Sequence, residues 1–446
     1  MNGAALSPLW IVPFAGILLS IALMPVTAPS FWHQHFGKTT AFWVGAFLVP
    51  FALQFGPAVA VDAVAHTLLV EYIPFIVLLL ALFTVSGGLH IGGNLRGSAA
   101  TNTKLLGLGT VLASIMGTTG AAMLLIRPLL RANDHRRHRA HVVVFFIFLV
   151  ANVGGALTPL GDPPLFLGFL KGVDFFWTTK AMLLPTLTTS AILLALFFVV
   201  DRWWWRREAR PAGVDPTPDR PLFVEGRVNV LLLCGIIALV LMSGVWKPDL
   251  VLSVHGTTIE LQNVVRDAGL LGIAWASWKL TARRVRQANH FEFGPIIEVA
   301  KLFAGIFVTI APAIAILKAG SDGVLAPLVA IVTGPDGKPN DALYFWMTGA
   351  LSSFLDNAPT YLVFFNLAGG DAAALTGPLA STLVAVSAGA VFMGANTYIG
   401  NAPNFMVKSI AEEAGVEMPS FFGYVFRFSL PVLVTCFIVV GWLFFT

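Results

Sequence analysis

Gly155-Ala156-Leu157-Thr158-Pro159-Leu160-Gly161-Asp162-Pro163-Pro164-Leu165-Phe166 aligns without gaps on Gly394-Ala395-Asn396-Thr397-Tyr398-Ile399-Gly400-Asn401-Ala402-Pro403-Asn404-Phe405. Six of the twelve positions are identical, where chance in so biased a sequence gives roughly one or two. The offset is 239 residues. The same offset carries Gly117-Thr118-Thr119-Gly120 onto Asp356-Asn357-Ala358-Pro359, the interruptions of two further apolar stretches. Two independent features in one register read as an internal repeat. Proline deletes a backbone donor and clashes with the preceding turn, while glycine permits non-helical dihedrals, so 154–164 and 394–403 are expected to unwind.

The surroundings say where this unwinding happens. Of 446 residues, 57% are apolar and 11% charged, against about 25% charged in soluble chains. Mean hydropathy is +0.81, and about 20 helical residues cross about 30 Å of hydrocarbon. Lipid is therefore the solvent for most of the chain, which excludes a nucleic-acid binder. The two cysteines, Cys234 and Cys436, lie in apolar runs and behave as small hydrophobes, which speaks against a disulfide scaffold or thiolate site. No basic residue precedes Lys38, so the first apolar run reads as a retained span rather than a signal peptide.

Apolar runs predict ten spans, near 8–27, 39–56, 66–90, 141–171, 176–200, 228–247, 265–279, 295–318, 376–414 and 420–445. The interrupted stretches 104–131 and 342–369 read as re-entrant hairpins. The expected fold is an all-α polytopic membrane protein of two inverted-topology repeats, each with five spans, one of them broken, and a re-entrant hairpin. Its parts are an N-terminal repeat over 1–200, a cytoplasmic linker over 201–227 and a C-terminal repeat over 228–446. Inversion follows because an odd number of crossings separates the copies. Such repeats mark secondary transporters.

Basic residues orient this plan. Arg96 and Lys104 precede the first hairpin, and Arg127, Arg131, Arg136, Arg137 and Arg139 lie at its other end, so both flanks read as cytoplasmic. Asp336, Lys338, Asp341 and Asp371 around the second hairpin suit the outer side. The linker arginines (202, 206, 207, 210, 220, 227) and Arg283, Arg284 and Arg286 then fall inside, with both termini outside. The expected location is a bacterial inner (cytoplasmic) membrane.

Unwound backbone in lipid leaves carbonyls unsatisfied at several kcal/mol each, so an ion, water or protein group must meet them. Asp162 in the first break and Asp356 at the second tip are the carboxylates placed deepest, and such groups are functional candidates by default, with helix capping as the alternative for each. Around them stand Asn152, Thr158, Asn357, Thr360, Asn396, Thr397 and Asn401. These hard oxygen donors suit Na⁺, whereas imidazole and thiolate are missing from the segments. Asp356, Asn357, Asn396 and Thr397 are the candidate sodium ligands. Low dielectric favours a protonated carboxyl and a bound cation favours the ionised form, so proton and Na⁺ compete for one group, which is exchange.

Other charged groups receive plainer readings. Glu71 and Glu298 near the starts of the long spans read as helix-terminus or interface groups. Lys301 and Lys318 can snorkel. His135, His138 and His141 read as a solvated face, and Trp203-Trp204-Trp205 as an interfacial anchor.

With Leu355-Asp356-Asn357-Ala358-Pro359-Thr360 and Gly394-Ala395-Asn396-Thr397 in place, nearly the whole chain resembles the ion transporter superfamily, which includes NhaD-type sodium/proton antiporters, citrate carriers and arsenite permeases. The resemblance implies a homodimer with scaffold and transport domains, the latter moving as an elevator. It implies ion sites at the tips, Gly117 to Gly120 with Thr118 and Thr119, and Asp356 to Thr360, and at the breaks Asn152 to Asp162 and Asn396 to Asn401. Dicarboxylate carriers of that superfamily show Ser-Asn-Thr at each tip, and this chain does not. A negative tip disfavours an anion unless cations screen it. The expected activity is therefore Na⁺/H⁺ antiport with no cofactor beyond the transported ions. A cation-coupled carrier of citrate or dicarboxylate, or an arsenite-like permease, is the alternative, against which the arginine-free core counts. The expected partners are a monovalent cation and a proton, a small carboxylate in the alternative, and membrane lipid. No enzymatic activity is expected. Leu160-Gly161-Asp162 and Leu355-Asp356 also allow an intramembrane aspartyl protease, a reading in which the repeat and hairpins have no use.

Overall fold

The computed structural model describes residues 3–93, 95–207, 221–254, 256–334 and 337–446. The linker's Arg210, Pro211, Pro216, Pro218 and Arg220, and Asp336, lie outside these residues. Helices α1 (Val12–Thr27) and α2 (Pro29–Phe55) open the chain, followed by α3 (Pro57–His66), which runs through a π-helical stretch at Thr67–Tyr72 into α4 (Ile73–Ser86). Then come α5 (Ala99–Met116), α6 (Thr118–Ala132), α7 (Ala140–Leu149), α8 (Pro163–Leu170) and α9 (Phe175–Arg207). The second half repeats this order. It holds α10 (Val228–Val245), α11 (Leu261–Leu280), the short α12 (Arg283–Ala288), the long α13 (Gly294–Lys318) and the short α14 (Ala326–Val332). After them stand α15 (Asp341–Ser352), α16 (Asn357–Leu367), the short α17 (Ala372–Thr376), α18 (Ala380–Met393) and α19 (Ala402–Glu413). It closes with α20 (Phe421–Tyr424), which runs through a π-helical stretch into α21 (Thr435–Phe444). Two small antiparallel ribbons, His90–Gly92 with Phe223–Glu225 and Val251–Val254 with Thr257–Glu260, lie between spans.

Eight helices among the described residues are long and apolar enough to cross a membrane, and the protein is an all-α polytopic membrane protein. The other two expected spans are α11, whose Arg266 and Asp267 lower its hydropathy, and the broken α18–α19 segment, whose apolar part is Ala380–Asn396. The second span starts at Pro29 rather than at 39. His33, His35 and Lys38 interrupt the apolar pattern but do not interrupt a helix.

Each hairpin turns where its residues demand it. Gly117 sits between α5 and α6 at φ +83°, a left-handed conformation that a side chain resists, and so reverses the chain in one residue. Ser98 caps the start of α5 by accepting from the Thr101 N–H, and Asn340 caps α15 by accepting from Leu343. The second turn uses Ser353 to Asp356, and Asp356 caps α16.

The broken spans lie at the centre. His141 to Leu149 are buried on every side, as are Leu383 and Ala385 to Met393, and helices apolar all round belong inside a bundle. Polar groups hold the long span α4 at its end: Asn289 donates to the carbonyls of Gly87 and Leu89, Asn229 to Gly88, and Arg286 to Thr84. Burial pushes the Arg286 guanidinium down to about 10, so it remains a cation at neutral pH, between the Trp278 and Phe291 rings.

One expectation about the histidine-rich loop between α6 and α7 fails. His141 is buried and its Nε2 lies 2.8 Å from Oδ1 of Asp201, which also pairs with Arg136 at 2.6 Å and accepts from Asn102 at 3.0 Å through Oδ2. Trp204 and Trp205 cover His138, His141, His135 and Arg136 rather than serving only as anchors. Glu71 likewise forms an ion pair, with Lys171 at 2.5 Å.

Candidate functional site

Both aligned segments unwind in the same way. After α7 the chain makes one tight turn at Val153–Leu157, extends at Thr158, and enters α8 from Asp162 at φ −144°, ψ 144°. After α18 it turns at Gly394–Asn396, extends at Thr397, and enters α19 from Asn401 at φ −153°, ψ 138°. The glycines permit this closeness: a Cβ on Gly161 would press into the carbonyl of Gly155, and one on Gly400 into that of Gly394.

Each break is pinned to its own hairpin by the same pair of residues. Thr158 donates from Oγ1 to the Ser114 carbonyl at 2.5 Å and Thr397 to the Ser353 carbonyl at 2.5 Å. Each threonine hydroxyl also accepts an N–H two residues on, from Leu160 at 3.1 Å and from Ile399 at 3.3 Å. Ser114 and Ser353 are 239 residues apart and were not singled out from the sequence, although the offset itself would have paired them.

Asp162 is the centre of the arrangement. It is 1% exposed. Its Oδ1 accepts from Thr118 Oγ1 at 2.9 Å and Asn401 Nδ2 at 3.2 Å, and its Oδ2 accepts from Asn357 Nδ2. One carboxylate thus collects donors from both hairpin tips and from the equivalent position of the other break. Without them a buried carboxylate would cost several kcal/mol. Asn401 also donates to the Ala151 carbonyl and to Asn152 Oδ1, Asn152 donates to Asn404 Oδ1 at 2.7 Å, and Asn404 donates to the carbonyls of Gly394 and Thr397. Asn404, one helical turn after Asn401, was missed because an asparagine on a helix reads as ordinary surface.

The other sequence candidates are placed differently. Asp356 is half-buried, accepts from the Ala358 N–H at 3.1 Å as a cap, and contributes to the wall of a cavity. Thr119 lines the same cavity. Thr360 donates to the Asp356 carbonyl at 3.0 Å. Asn396 donates to Ser353 Oγ at 2.9 Å and, with Thr397, belongs to the hairpin pin rather than to the Asp162 cluster. Two buried amide oxygens, Asn357 Oδ1 and Asn396 Oδ1, meet no donor among the described residues.

The cavity measures about 910 Å³ including its mouth and lies between α4, α13, the first hairpin tip, the first break and the start of α19. Asp162, Asp356, Thr118, Thr119 and Asn401 give it polarity, and no Lys, Arg or His is among the lining residues. Leu82, Phe83, Ile296, Phe303 and Met406 form apolar walls.

Broken helices facing hairpin tips across a buried carboxylate, inside a polytopic helical bundle, define the class of membrane transport proteins. The chain belongs to the family described as "Putative citrate transport", whose model matches residues 3–445. Among curated proteins, none matches the chain.

Proposed function

We propose that this protein is a secondary active carrier of a citrate-like carboxylate coupled to cations, with Asp162 as the group at which cation and proton exchange. The observation that carries the reading is the threefold hydrogen bonding of Asp162 by Thr118, Asn357 and Asn401 beside an acid-lined cavity. A carboxylate held by donors from both copies of the internal repeat joins the two breaks and the two tips into one site that moves together. Asn357 Oδ1 is an unused oxygen next to it and supports a cation at that position. Asp356, on the wall of the same cavity, is the second oxygen group proposed for Na⁺, while Asn396 and Thr397, the other sequence candidates, are held at the hairpin pin.

The cargo follows from the family and the electrostatics together. Two like charges 5 Å apart repel by about 3 kcal/mol at an effective dielectric of about 20, so a multivalent carboxylate enters this cavity only with its charge offset by cations or protons. The elevator reading has α5 to α8 and α15 to α19 move as a unit against α4 and α13, in a homodimer of the inner membrane with both termini outside. A second reading, Na⁺/H⁺ antiport without organic cargo, is favoured by the absence of any basic residue from the cavity lining.

Proteoliposomes distinguish the two. Labelled citrate uptake is followed with Na⁺, Li⁺, K⁺, a divalent cation or none outside, and luminal pH is recorded in parallel. Cation-dependent citrate uptake supports the carrier. Proton release on adding Na⁺ alone, with no citrate uptake under any cation, supports the antiporter and ends the carrier reading.

A further inference from the structure

The end of α9 carries a second built feature on its outward face. Phe198 and Val199 are exposed, Val199 at 63%, and one turn further on the same face presents Arg202 and Trp203, then Arg206 and Arg207. These six residues line a shallow groove. Along the helix the apolar pair comes first, Arg202 and Trp203 share the next turn, and Arg206 and Arg207 follow, which runs from hydrocarbon through the interface to the headgroups.

Nothing among the described residues neutralises this face. Asp201, the acid nearest in sequence, points the other way and is fully used by Arg136, His141 and Asn102. Arg202 and Arg206 stand four residues apart, where like charges repel on a helix surface. The Arg207 guanidinium lies 3.6 Å from the centre of the Trp203 ring, which fixes one cation in place. Three guanidiniums beside one aromatic ring, with apolar groups beneath, match an anion that also carries acyl chains.

We propose that this groove binds the phosphate headgroup of an acidic phospholipid, with its chains along Phe198 and Val199. The opposite face of the same helical turn is tied to the first hairpin: Asp201 bonds Asn102 at the start of α5, and Asn102 exchanges amide hydrogen bonds with Asn133 beyond α6. A lipid on the outer face therefore steadies the base of that hairpin. The proposal is independent of the cargo.

The test uses the full-length protein in detergent. Phosphatidylglycerol, phosphatidylcholine or inorganic phosphate is added, bound lipid is counted by native mass spectrometry, and the unfolding midpoint is recorded. Phosphatidylglycerol should be retained and raise the midpoint, while phosphatidylcholine and phosphate do neither. Each of R202Q, R206Q and R207Q should weaken retention about fivefold, and the triple variant should lose the preference. Size exclusion confirms folding, and single variants serve if the triple variant fails to fold. Equal retention of the two lipids, an equal effect of inorganic phosphate, or an unaltered preference in the arginine variants overturns the proposal. Neutralising Glu208, Asp215 and Asp219 of the adjoining linker should leave the preference intact. Its loss there would move the determinant into the linker and equally overturn the proposal.

Discussion

The two breaks share a backbone and differ in charge. Asp162 and Asn401 occupy equivalent places, 239 residues apart, with dihedrals within about ten degrees of one another, and the second donates a hydrogen bond to the first. One copy of the motif presents the acid and the other serves it. A duplicated scaffold can therefore hold a single exchangeable charge, with the partner copy supplying solvation that water would provide outside. The hairpin tips show the same division. Thr118 and Asn357 both point donors at Asp162, while Asp356, the acid of the second tip, is engaged as a helix cap.

The largest effect expected from breaking this asymmetry is Asp162→Asn. It should abolish coupled transport, a loss of about a hundredfold if about 3 kcal/mol of charged interaction is removed. Asp356→Asn should cost about tenfold or less. Equal losses, measured as initial uptake rates in proteoliposomes, would mean that the two acids share the role. The swap Asp162→Asn with Asn401→Asp sharpens the point: activity above the single variant shows that the copies are interchangeable.

Next comes Asn401→Ala, which removes one donor from a buried carboxylate and should lower stability by about 1–3 kcal/mol. A fall in unfolding midpoint that grows as pH rises is expected, because the ionised carboxylate is the form that needs the amide. A pH-independent fall would place the effect in packing.

Thr158→Val and Thr397→Val each delete the hydroxyl that pins a break to its hairpin. Both should cost about 1 kcal/mol, by similar amounts, in thermal or denaturant unfolding. A twofold disparity would show that the copies are held unequally despite matching geometry.

The smallest effect concerns a contact that only the first half has. Glu71 and Lys171 pair at 2.5 Å, and the positions 239 residues on are Ile310 and Ile410. The pair is partly exposed, so Glu71→Gln should change stability by about 1 kcal/mol or less. If the pair helps hold α8 against the long span in one state, the variant alters the ratio of states more than the midpoint. Paired cysteines at 71 and 171, tested for crosslinking with and without cation, read that ratio.

Much of this was legible in the sequence. Glycine and proline betray where a helix must open, and one shared offset related both breaks and both tips. The ranking of the acids was not legible. Asp162 sits at a Gly-Asp-Pro step where capping is natural and Asp356 at a tip read as equally deep, yet in the fold Asp356 caps and Asp162 does not. Local rules assign a cap by its neighbours in sequence, whereas the donors that claimed Asp162 come from 44, 195 and 239 residues away. The Arg136–Asp201–His141 cluster was hidden for a related reason. A loop rich in charge reads as solvated unless the partner that buries it, 60 or more residues on, is known.

Gly155, Gly161 and Gly400 leave no room for a Cβ, so the opened turns present bare main chain to whatever passes. Main chain is the same in every protein, and substitution there cannot retune it. On the proposed reading, any shift in ion preference, by drift or by design, must be written in the few amides and hydroxyls leaning on Asp162.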